Sequence, residues 1–160
     1  MPLQGLTSRQ RTWLGAAVYT AKVVGLFFAM GPIVGLLVFA IGMAVLAGVS
    51  APGGFWMGPF FLIYGIVFAH FMGGAWACIA GVVAAAWARI TGGSGLYVGP
   101  ASGAVSFAIA FLTGDASLPV VSGSQIETGA DPAGIGFWTV MLATHVLSAT
   151  ACWSVARHFR

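Results

Sequence analysis

Charge is what this chain has least of: six Lys/Arg and three Asp/Glu in 160 residues, or 6% charged against 59% hydrophobic. A soluble globular domain carries roughly 25% charged residues, so a water-soluble fold is excluded. Cysteine is nearly as scarce. Cys78 and Cys152 both fall in apolar runs, where a thiol behaves as a small hydrophobe and no disulfide framework follows. The apolar runs lack the polar alternation of a membrane β-barrel. Signatures of catalysis are missing too: there is no nucleophile elbow, H-E-x-x-H or phosphate loop, and no enzyme is expected.

What is present is length without charge. The run from Val23 to Ser50 exceeds the roughly 20 residues with which a helix crosses about 30 Å of hydrocarbon. The expected class is therefore all-α and integral to a membrane. Arg9 and Arg11 ahead of an apolar run, with Val49-Ser50-Ala51 after it, resemble a secretory signal. However, the run is about twice the usual signal core, so it is expected to remain as a first span.

Residues 7–22 open with Thr7 or Ser8 as an N-cap and mix Arg9, Arg11 and Lys22 with Trp13 and Tyr19, as an interfacial helix does. A cytoplasmic or interfacial segment 1–22 and a transmembrane domain 23–158 follow. Gly31-Pro32 predicts a kink or break inside the first span, and Ala51-Pro52-Gly53-Gly54 a turn. The stretch from Phe55 to Arg89 is long enough for either a hairpin turning at Met72-Gly73-Gly74 or one tilted helix.

The charges choose between them. One tilted helix gives four spans, at about 23–48, 56–89, 96–113 and 133–157. That places all six cations on the cytoplasmic side, and Asp115, Glu127 and Asp131 in an external loop at 114–132. A hairpin would send Arg89, Arg157 and Arg160 outside. The expectation is thus a four-helix bundle, both termini inside, in a bacterial-type inner (plasma) membrane. Asp131-Pro132 reads as N-cap and first residue of the last helix.

Two stretches echo each other. Gly31-Pro32-x-x-Gly35 with Phe39-Ala40-Ile41 matches Gly99-Pro100-x-x-Gly103 with Phe107-Ala108-Ile109, and Ala75-x-Ala77-Cys78 matches Ala149-x-Ala151-Cys152. The pattern is that of a tandem two-helix repeat. Gly/Pro-interrupted helices at matching positions point to a solute path in transporters, and no carboxylate lies within a span. The path candidates are Gly31, Pro32, Gly35, Gly99, Pro100, Ser102, Gly103 and Thr144, with Ser106 beside them. The plainer meaning of both G-x-x-x-G motifs is close helix packing.

His70 and His145 are the ionisable groups expected deep in the bilayer. They could hold one haem b, relay protons, or only help to pack the helices. Zinc is excluded: Cys78 and Cys152 lie about 11 Å along the helix from their nearest histidines. The leading expectation is a subunit or oligomer that passes a small polar or anionic solute. The alternatives are a cofactor-anchoring subunit of an electron-transfer complex and an accessory subunit of a larger assembly. A nucleic-acid partner is not expected.

Overall fold

The structure is a computed structural model that describes residues 7–46, 58–92, 95–113 and 132–159. Four helices run in order: α1 (Ser8–Leu46), α2 (Gly58–Ile90), α3 (Val98–Leu112) and α4 (Pro132–Ala156). Three of them are long and apolar enough to cross a membrane, over Ser8–Gly42, Tyr64–Ile90 and Gly136–Ala156. With 15 residues, α3 reaches only about 22 Å.

Helix α1 starts on a reciprocal cap. The Thr7 backbone N–H donates to Gln10 Oε1 at 2.8 Å, and the Gln10 N–H donates to Thr7 Oγ1 at 3.3 Å. This pairing satisfies donors that a helix start otherwise leaves unpaired. From there the helix runs 39 residues without interruption. That continuity bears on two expectations. Residues 8–22 are the first turns of the same helix that continues as the first apolar run, and of the kink or break expected at Pro32 there is no break. Proline removes one N–H, leaving the Phe28 carbonyl without its helical partner. Gly31 and Pro32 are both buried, and the Ser148 hydroxyl of α4 donates to the Gly31 carbonyl at 2.8 Å, so packing holds the helix together on both sides of the ring.

Helix α2 is also continuous through Met72-Gly73-Gly74, which removes the hairpin and the five-span threading with it. It carries Arg89 in its last turn and ends before Gly92, whose φ of 61° turns the chain in the left-handed region. The Thr91 N–H donates to the Trp87 carbonyl at 2.9 Å to close that end. Helix α4 begins at Pro132, as its sequence predicts. Asp131, the acidic loop and the turn at 51–54 lie outside the described residues.

The helices alternate in direction around a closed ring. Helix α1 packs on α2 and α4, and α3 packs on the same two from the other side; α1 and α3 do not touch among the described residues. The core sits toward one end of this ring. It is built from Val23 and Phe27 of α1, Ala80, Ala84, Ala85 and Ala88 of α2, Val98 of α3, and Ala149, Cys152, Trp153 and Ala156 of α4. Alanines let the backbones approach, which is where helix association within lipid gains its van der Waals energy. Trp153 plugs the centre and donates from Nε1 to the Gly95 carbonyl at 3.0 Å, tying α4 to the start of α3.

Candidate functional site

The glycine–proline positions are contact points between helices. A methyl group on Gly103 would stand 2.5 Å from the His145 carbonyl oxygen and 2.8 Å from Val146 Cα; on Gly99 it would stand 2.7 Å from Thr150 Cα. Those neighbours are backbone and cannot turn aside. At Gly31 the corresponding neighbour is Ala77 Cβ at 3.0 Å, with Ser148 Oγ at 3.7 Å, and at Gly35 it is Thr144 Cγ2 at 3.4 Å. The nearest neighbours of the first stripe are thus in α2 and α4, and those of the second in α4.

The prolines differ in the same way. Pro32 lies mid-helix and buried, whereas Pro100 is the third residue of α3, in the first turn, where its missing N–H breaks no internal bond. The two motifs match in spacing but occupy unlike positions in their helices.

Hydroxyls along these stripes are all spoken for. Ser102 donates to Gly99 O at 2.8 Å, Ser106 crosses from α3 to the Trp76 carbonyl of α2 at 3.0 Å, and Thr144 donates to Val140 O at 2.8 Å. Ser106 and Ser148 are the two that bridge helices, each using a carbonyl on its neighbour as acceptor. Within lipid such bonds are worth roughly 0.6–2 kcal/mol each. Their chemistry here is adhesive.

His70 and His145 each bond their own helix through Nδ1, to Ile66 O at 2.8 Å and to Met141 O at 2.9 Å. Their rings then pack edge-on against phenylalanines of different helices: His70 against Phe28 of α1 with centroids 5.7 Å apart, His145 against Phe107 of α3 at 5.6 Å. The helices that carry them stand diagonally across the ring and barely touch. Among the described residues no group of three or more His, Cys, Asp or Glu gathers in a metal-binding arrangement.

One feature escaped sequence reasoning. An open cleft of about 300 Å³ lies between the first turns of α1 and the last turn of α2, lined by Thr12, Ala16, Tyr19, Ala88, Arg89 and Gly92. The i, i+4, i+7 spacing of Thr12, Ala16 and Tyr19 puts those three on one face of α1. Only the register between α1 and α2 brings Arg89, some 70 residues later, against that face. Comparison with protein-family models, with curated proteins and with solved structures finds no match to this chain.

Proposed function

We propose that the chain is a four-span protein of the inner membrane, with both ends cytoplasmic, that works as a subunit paired with a second copy of itself. The observation that carries this reading is an unfilled stripe on α1. Ala17, Ala21, Gly25 and Ala29 recur every fourth residue and are all exposed. A methyl group on Gly25 would meet nothing within 4 Å, as on Gly15 and Gly73, whereas Gly31, Gly35, Gly42, Gly74, Gly81, Gly99 and Gly103 each have neighbours inside that distance. Small residues at i, i+4 are what a second helix needs for close approach in lipid. The orientation rests on Arg9, Lys22, Arg89 and Arg157 gathering at one end, as positive-inside threading requires.

A route for a small polar or anionic solute belongs, on this proposal, to the contact between protomers. Within one protomer the glycine positions are occupied by neighbouring helices and the hydroxyls by backbone carbonyls. The test is the mass of the purified protein in lipid nanodiscs. A dimer that Gly25→Leu converts to monomer is expected; a wild-type monomer, or a dimer indifferent to Gly25→Leu, contradicts the reading.

A second reading has one observation in its favour. Nδ1 bonding to a carbonyl is how a histidine is held when Nε2 ligates a metal, so His70 and His145 retain the nitrogen that would bind haem b. Their different phenylalanine partners require both rings to turn before one haem fits between them. Oxidised and reduced visible spectra decide the matter: a Soret band lost in both His70→Ala and His145→Ala supports haem, and a colourless protein removes it.

A further inference from the structure

We infer that the cleft between α1 and α2 is a binding site for the phosphate group of an anionic phospholipid. Its floor is two small side chains, Ala16 and Ala88, which leave the space open; its walls are Thr12, Tyr19, Arg89 and Gly92. Arg89 is exposed, and its guanidinium makes no hydrogen bond or ion pair with the described residues. The three acidic residues of the sequence, Asp115, Glu127 and Asp131, fall between α3 and α4 and outside the described residues.

Tyr19 supplies the second, independent observation. It packs against the core beside Ala88, and its hydroxyl oxygen is buried with no hydrogen-bond partner. A buried polar group without a partner is costly and normally has one, in the protein or in something bound. A turn of the Tyr19 ring toward the cleft it lines would bring the phenolic O–H to a phosphate oxygen, the acceptor that the protein withholds, while the arginine supplies paired N–H donors matched to phosphate geometry. Thr12 already donates its hydroxyl proton to the Ser8 carbonyl at 3.1 Å, so it offers shape and not a further donor.

Position favours a lipid source. The cleft lies at the end of the bundle that also carries Arg9, Lys22 and Arg157, and exposed Trp13 and Tyr97 lie at the same end, as side chains at a headgroup boundary do. Clustered cations beside a membrane surface select anionic headgroups.

The test uses the full-length protein in an uncharged detergent, titrated with short-chain phosphatidylglycerol, short-chain phosphatidylcholine and inorganic phosphate. Native mass spectrometry and tryptophan fluorescence give the affinity. Saturable binding of phosphatidylglycerol but not phosphatidylcholine is expected. Arg89→Gln should weaken it roughly tenfold or more, the usual effect of losing a hydrogen bond to a charged group. Tyr19→Phe, which keeps the ring in the core, should weaken it several-fold, and Lys22→Gln much less than either. Equal binding of inorganic phosphate, lost in the same two variants, keeps the site and changes its source to the free ion. Wild-type affinity in Tyr19→Phe and Arg89→Gln overturns the inference, as does an equal loss in Lys22→Gln, which would mean diffuse charge. Should Arg89→Gln fail to fold, Tyr19→Phe alone decides.

Discussion

The two ends of this bundle are built on different principles. At the basic end Val23, Ala84, Ala85, Val98, Trp153 and Ala156 are shut away completely or almost so. Large apolar side chains point outward at both ends, with Ile90 85% exposed at the basic end and Ile41, Val45, Phe68 and Phe71 between 65% and 78% toward the other, so what distinguishes the ends is the core. Four helices meet at the first end, because the short α3 begins there, opposite the last turns of α2 and α4. Toward the other end Phe39 meets Phe137 and Phe111 meets Trp138, both edge-on. The interior is built from small residues packed around a few large ones, Trp153 and Phe27 above all.

That contrast is sharpest at the two most different large side chains. Trp153→Ala removes the central plug and its bond to Gly95, and should cost on the order of 3 kcal/mol or more of stability in detergent. Phe71→Ala, at 78% exposure, should leave the thermal midpoint nearly unchanged. Equal losses would break the comparison.

Glycine substitutions grade the same contrast more finely. Gly103→Ala forces a methyl group against the backbone of α4 and should cost about 1–3 kcal/mol by overpacking. At Gly42 the obstruction is the Val140 side chain, 2.7 Å away, which can shift, so Gly42→Ala should cost less. In the separated protomer Gly25→Ala meets nothing and should be neutral or, through helix propensity, stabilising by up to about 1 kcal/mol. Thermal unfolding of the three variants side by side checks the order.

The smallest effect expected is that of Ser148→Ala, which removes the donor to the Gly31 carbonyl. A loss of about 1 kcal/mol, with Ser106→Ala similar, would show that both inter-helix hydroxyls act as adhesive.

The helices were legible because long apolar runs free of charge announce themselves, and three of them are long and apolar enough to cross a membrane. The unbroken α2 followed from where Arg89 had to lie, and the start of α4 from Pro132. The helix through Pro32 was not legible. Rules for proline describe a helix in isolation, and here the buried Gly31-Pro32 turn is held by Ser148, a residue 117 positions away. The same limit hid the cleft, since nothing local links Tyr19 to Arg89. The glycines of both G-x-x-x-G motifs lie at helix contacts, and which helices they touch depends on which helices neighbour which.

The threading itself is the central claim, and α3 is its weakest member at about 22 Å. Single cysteines placed at Ser8, Gly92, Ser122 and His158, in a chain with Cys78→Ala and Cys152→Ala, can be probed in intact cells with a membrane-impermeant maleimide. Labelling at position 122 alone is the predicted result, since α3 then carries the chain across. Positions 92 and 122 reacting alike would mean that α3 does not cross, and would contradict the four-span account.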